Sequence, residues 1–551
     1  MKRFLWLGFV LFLYLICAGC GDTFRPIIIP NPPVFPNPAA THTVVSINDN
    51  APLMGEPQDS PGSAMVIDVS GDTDQSQANL GLAPVHAVQQ SASVVLVANH
   101  SITGAQSDSI TKLIFDSPDI FSASTISLPT DSAPSFVATT EAAQAYVLLS
   151  SLNSVGVINT SANAQVATVP VGNSPVAMAE TPDGKKLYVA NLDDSTISGF
   201  NTQTANLVPR QGSPVTTSSP PIWLAARSDS QMVYALEADG TLAALNTFST
   251  SGPDTLTEYP NINVPGATNM VYDENLNRLY IAGGQEMEII FVGQSPPQLL
   301  GTINIPAFTP LNSAPVTATA AAVTDLPDGS RAYVSSYAVL PSNFTVTSVS
   351  GDGVNATYAY TLTAGQNLTA GVSVTVMGTG QDGFDGNFVI DGIVSGTAAC
   401  PGTCFQVPNT NMLASTPVSV AATGSNVFPQ VTVVWTNSNT IKTTAALPGF
   451  PDATNQVYLQ GLFYVPVCAS TRDDVEPPGG PKGSGFRFNM APGGDSTRAY
   501  LSTCDGGVVD IIDTSTDTYI LNQAEPASTR PPIASETQNP SQNPVFLLAG
   551  P

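Results

Sequence analysis

A short apolar segment recurs seven times in this 551-residue chain, and no other feature constrains its fold as strongly. The clearest copy reads Thr181-Pro182-Asp183-Gly184-Lys185-Lys186-Leu187-Tyr188-Val189-Ala190-Asn191. Pro182 presets φ for a turn, and Asp183-Gly184 supplies the positive-φ corner that joins two antiparallel strands. Leu187 to Ala190 is too short and too rich in β-formers for a helix. A polar loop, Asp193-Asp194-Ser195, then leads into a second alternating stretch that ends at Asn201-Thr202. Further copies centre on Leu96, Tyr146, Tyr234, Tyr280, Tyr333 and Tyr500. From Leu96 through each Tyr the spacings are 50, 42, 46, 46, 53 and 167 residues. Five of those six intervals hold four short strands and their turns, the unit of a repeat architecture.

This wording resembles the YVTN-repeat family of bacterial β-propellers. The resemblance implies an all-β fold, a seven-bladed β-propeller of four-stranded blades with one blade per copy. Relatives with the same repeat include lactonases, and related propellers hold quinone or haem cofactors. No residue pattern here carries either activity across.

The long interval resolves into two excesses. Val431-Thr432-Val433-Val434-Trp435 reads as the third strand that should follow Tyr333, displaced downstream by about 89 residues. Another 36 residues separate Pro451 from Tyr500 beyond the usual distance, and removing both leaves 42, a normal blade. The first excess, residues 342–429, alternates in the manner of strands at Phe344–Val349, Tyr358–Leu362 and Val372–Val376. Around Gly383-Phe384-Asp385-Gly386-Asn387-Phe388 it resembles small β-barrel or sandwich modules of bacterial surface and tail-type proteins. The expectation is therefore such a module inserted in the sixth blade, with a loop insertion at 452–487. Propeller strands occupy 62–341 and 430–551.

Met1 to Gly19 carries Lys2 and Arg3 before an apolar run, the form of a secretory signal. Ile16-Cys17-Ala18-Gly19-Cys20 resembles a bacterial lipobox, which makes Cys20 the expected lipidation site. Gly21 behind it favours the outer membrane, periplasmic or surface-exposed. Residues 20–61 form a Pro-rich tether and lead-in. Just beyond it, Ser63 to Val69 repeats the third-strand pattern of Val508 to Asp513. That stretch is expected to pair into the last blade and close the ring, which removes exposed sheet edges.

Sixteen Lys+Arg against 42 Asp+Glu give a net charge of −26, and loss of the leader takes the chain to −28. A chain so acidic, without basic clusters, excludes nucleic acid as a partner. Cys400, Cys404, Cys468 and Cys504 are an even set in an exported chain and read as disulfides, Cys400–Cys404 and Cys468–Cys504.

Strand topology puts second-to-third and fourth-to-first connections on one face, so both inserts emerge there. Asn99, Asn191, Asp193, Asp194 and Asp505 fall on that face and are the ligand-face candidates. The three histidines, His42, His86 and His100, form no recognisable constellation. No catalytic, metal or cofactor motif stands out, so no cofactor is expected. The chain reads as a monomeric, lipid-anchored binding or scaffold module for a protein, glycan or peptide. A lactonase-like hydrolase or a redox accessory propeller is the alternative.

Overall fold

The computed structural model describes residues 43–49, 61–101, 108–116, 119–141, 143–202, 207–248, 252–308, 315–363, 368–370, 373–381, 384, 386–409, 412–413, 417–442, 457–458, 488–503, 508–519 and 543–550. These residues are organised almost entirely as antiparallel strands, with one 3₁₀ turn at Ser150–Leu152 and no α-helix among them. They assemble into eight sheets, six of them built on four consecutive strands; one sheet joins the first three strands to the last, and another has a further set of strands inserted in it. The innermost strands pack against one another in a closed circuit, so the fold is a β-propeller.

Blade 1 joins the two ends of the chain: Asn543–Ala549 is innermost, followed outward by Thr43–Asp49, Pro61–Asp68 and Thr73–Leu82. Blades 2 to 6 begin at inner strands Pro84–Ser91, Pro134–Glu141, Pro175–Glu180, Pro221–Ala226 and Ala267–Asp273. Blade 7 has Ala318–Asp325 innermost, then Arg331–Gly351 and Val418–Trp435; blade 8 runs from Phe488–Pro492 to Thr518–Tyr519.

Leu96, Tyr146, Tyr188, Tyr234, Tyr280, Tyr333 and Tyr500 are each the third residue of a second strand, and all are buried. Their rings fill the space between blades, where the hydrophobic clusters lie. Tyr188, for example, packs with Leu224, Val233 and Leu245 of the next blade. The Asp183-Gly184 corner forms as its sequence requires: Gly184 sits at φ +65°, and its N–H donates to Thr181 O at 2.8 Å.

The expected count of seven blades is corrected to eight sheets. Ser63–Val69 does supply a third strand and does help close the ring. It belongs, however, to a blade of its own and not to the blade of Tyr500. That blade was hidden for a physical reason. Its second strand, Thr43–Asp49, holds the smaller Val45 where the other copies hold Tyr or Leu, paired to Leu548. Its inner strand lies 461 residues past its outer one, at the other end of the chain.

In blade 7, Tyr333 pairs with Val433, so the third strand lies downstream as the spacing implied. Arg331–Gly351 and Val418–Trp435 stay paired well past the blade, and the expected boundaries at 342 and 429 fall inside them. Their far halves join five further strands, Asn355–Leu362, Ser373–Met377, Gly386–Val389, Gly392–Thr397 and Cys400–Pro408. This distal sheet encloses its own aromatic core. Tyr358 stacks on Phe405 at 5.0 Å between ring centroids, and Phe344 meets Phe405 edge-on at 5.7 Å. Cys400 and Cys404 are buried and disulfide-bonded. Cys20, Cys468, Cys504, Asp505, the leader at 1–19 and most of 452–487 lie outside the described residues.

Candidate functional site

The face from which the distal sheet rises carries the second-to-third loops and the linkers between blades. Asn191 ends the second strand of blade 4 and is fully buried. Its Oδ1 accepts the Gly172 N–H at 3.1 Å, and its amide donates to Thr196 Oγ1 and Ser198 Oγ, both at 3.0 Å. Gly172 belongs to the incoming linker, and a Cβ there would lie 2.7 Å from Asn191 Cγ. Asn99 holds the same register in blade 2 and packs on Gly81 of the incoming strand, but its amide donates within its own blade, to Thr111 Oγ1 at 3.0 Å, and the Gly81 N–H goes to that same Thr111 Oγ1 at 3.2 Å.

Asp193 and Asp194 tie down the same linker as Asn191. Asp194 accepts from the Asn173 N–H at 2.7 Å and from the Asn173 side-chain amide at 2.8 Å, and these bonds lower its pKa. Asp193 accepts from the Ser174 hydroxyl. Three of the five ligand-face candidates, Asn191, Asp193 and Asp194, therefore fasten the linker between blades 3 and 4; Asn99 bonds within its own blade, and Asp505 is not described.

Two buried carboxylates that the sequence reading missed do related work. Asp108, 1% exposed, accepts N–H bonds from Ser101, Ser132 and Ala133 at 2.8, 2.7 and 3.0 Å and stands 3.4 Å from His100 Nδ1. Burial alone raises its pKa, but the bonds from His100, Ser101 and Ser132 prevail and hold it below the usual range. Glu237 ends the second strand of blade 5, the register of Asn99 and Asn191. Its Oε2 accepts the Ser219 N–H at 2.9 Å and the Ser218 hydroxyl at 3.1 Å, while Oε1 has no hydrogen-bond partner among the described residues. Burial pushes its pKa up to about 7. A signal existed: each of the three stands three residues after the central Leu or Tyr of its copy.

At the same end of the ring, the inner strands carry a tier of larger side chains. His86, Phe136, Trp223 and Asn269 each follow a bulge beside the first residue of the strand, which re-aims them. His86 stacks on Phe136 of blade 3 at 4.0 Å and meets Phe546 of blade 1 at 4.6 Å. His86 Nδ1 accepts from the Val137 N–H at 3.4 Å. Asn269 does the same for Val323 at 3.1 Å, and Asn489 for Leu547 at 2.7 Å, at equivalent registers. Each side chain thus covers a backbone donor on the free edge of its neighbour's inner strand. The aromatic contacts join blades 1 to 3, and the amide bonds join blade 6 to blade 7 and blade 8 to blade 1.

No family model matches the chain, and no curated protein matches it. Among solved structures, it is similar to apo AztD from Citrobacter koseri, 11% identical with a TM-score of 0.47, over 92% of this chain and 97% of that one. It is similar to the periplasmic gluconolactonase PpgL of Pseudomonas aeruginosa, 13% identical with a TM-score of 0.39, over 54% and 92%. It is also similar to the Dos1 propeller, 11% identical with a TM-score of 0.37, over 50% and 72%. Likeness at this level adds nothing to the propeller topology already read from the strands.

Proposed function

We propose that this chain is a lipid-anchored, extracytoplasmic propeller that binds a protein, glycan or peptide through the face carrying the distal sheet. One observation carries the reading. Two paired strands continue from blade 7, through a bulge between Leu340 and Phe344, into a sheet with its own aromatic core, which favours a stiff platform over a hinged loop. A hinged loop would present a partner surface only at an entropic cost on binding; paired strands avoid that cost. The buried Cys400–Cys404 disulfide fits an oxidising compartment, in keeping with the secretory leader and Cys20. Within this reading the distal sheet is an inserted domain, and linker-fastening residues such as Asn191 and Asp194 hold the face rigid beneath it.

The test is site-specific photocrosslinking in intact cells. Val354 and Met412, 68% and 80% exposed on the distal sheet, are the probe positions, and Phe121, 75% exposed on the outer strand of blade 2, is the control. A discrete adduct from the distal sheet alone is expected. Adducts only from Phe121, or none at any position, overturn the proposal. In the same cells, Cys20→Ala releases the chain from the membrane fraction; unchanged fractionation removes the anchor from the reading.

A further inference from the structure

On the opposite face, where first-to-second turns and outer hairpins lie, blades 4 and 5 leave a cleft of about 430 Å³. Lys185, Lys186, Asn201 and Arg210 line it from blade 4, and Gln231 and Phe248 from blade 5. Three cations in one cleft are notable in a chain with only 16 Lys+Arg. Their neutralisation differs.

Arg210 is fully committed. Its Nε and Nη2 donate to the two oxygens of Asp254, each at 2.7 Å, and Nη1 donates to Asn201 Oδ1 at 2.8 Å. Lys185 is half exposed and lies 3.8 Å from Asp183. Lys186 is different. Only 7% of it is exposed, its ammonium donates to the Ser230 carbonyl at 3.1 Å, and it forms no direct ion pair among the described residues, although the Asp183 and Asp254 carboxylates act on it through space. A buried charge without a direct ion pair is costly, and proteins normally pair it. Burial pushes its pKa down, and the neighbouring Arg210 and Lys185 oppose the help it gets from Asp183 and Asp254. An anion entering the cleft would supply the direct partner that Lys186 lacks.

The remaining walls describe the rest of that anion. Phe248 is 68% exposed, a flat apolar surface at the lip. Gln231, Asp229 and the Asp183 carboxylate offer donors and acceptors around it. A ring with an apolar face, several hydroxyls and one carboxylate meets all three requirements.

We propose that the cleft between blades 4 and 5 binds a uronate, an acidic sugar unit whose carboxylate pairs with Lys186 and whose ring lies against Phe248. The site is on the face away from the distal sheet, so it stands or falls independently of the partner surface proposed above.

Isothermal titration of the purified full chain with digalacturonate, its uncharged counterpart galactobiose and sodium sulfate tests the assignment. Digalacturonate is expected to bind saturably, and galactobiose at least about tenfold more weakly, the loss of one charge-assisted bond. Lys186→Met is expected to lose a similar factor while melting no lower than the parent, because it removes an unpaired buried charge. Phe248→Ala, at an exposed position that leaves the core untouched, is expected to weaken binding severalfold and serves if the lysine variant fails to fold. Absence of saturable binding, or equal binding by Lys186→Met, overturns the proposal. So does sulfate binding as tightly as digalacturonate with Phe248→Ala unaffected, which would mark an anion site without a sugar.

Discussion

Replacing Glu237 by glutamine isolates the cost of one buried carboxylate at the linker between blades 4 and 5. The carboxyl is fully buried, and its pKa is pushed from 4.5 to about 7, by burial first and then by the nearby Glu258 and Asp239. A carboxyl whose pKa is raised on folding binds more protons in the folded than in the unfolded state between those two values. Stability contributed at this position therefore falls as pH rises from 4.5 through 7 and is level above that. The gap in pKa corresponds to a penalty of about 3 kcal/mol at alkaline pH. Glutamine cannot ionise, and its carbonyl can still accept the Ser219 N–H. The variant should match the parent near pH 4 and exceed it by up to about 3 kcal/mol at pH 8.5. Entropies of unfolding that scale with chain length turn that into a rise of about 3 °C in melting temperature. Calorimetry of both proteins at pH 4, 6 and 8.5 and constant ionic strength measures the difference. Glu288, also raised to about 7, titrates in both proteins and cancels. An equal shift at all three pH values, or a variant less stable at pH 8.5, would refute the reasoning.

Two further outcomes follow from how blades are joined. Arg210→Met strands the Asp254 carboxylate, which is 3% exposed and also accepts from Tyr188 Oη at 3.0 Å, and should cost about 3–5 kcal/mol. Adding Asp254→Leu should recover most of the loss in urea denaturation, whereas an additive pair of losses would show that the two side chains do not act as a unit. Truncation before Asn543 removes the inner strand of blade 1 and should expose residues 61–82 to limited proteolysis long before the Tyr188 or Tyr234 blades. Simultaneous cleavage in all blades would contradict that.

The periodic part of the fold was legible because its signal is local. A Tyr at the third position of the second strand fills the inter-blade space in six of the eight blades, so the same residue type recurs where the geometry does. Blade 1 escaped because Val45 fills its space with a smaller side chain and its inner strand is remote in sequence. The distal sheet was legible as alternating strands, and Cys400–Cys404 as a local pair. Site residues were harder to read. Asn99 and Asn191 end second strands and Asp193 and Asp194 follow one, yet whether a loop carboxylate meets solvent or a neighbouring linker depends on contacts between blades. The burial of Lys186 without a direct ion pair and the stacking of His86 on Phe136 are likewise products of adjacent repeats, invisible within any one of them.

Closure of the ring by both chain ends also sets an order of events in time. Thr43–Asp49 is made first among the described strands, and its inner partner, Asn543–Ala549, is made last. Until synthesis reaches Asn543–Ala549, that early strand keeps an open edge, and blades 2 and 8 lack the inner strand that packs between them. The early strands must wait through the emergence of every other blade with backbone donors available to any passing strand. A chain interrupted late in translation is left as an unlatched arc. Asn543–Ala549 thus acts as the clasp of the whole circuit, and its pairing with Thr43–Asp49 is the step that turns an arc of blades into a ring.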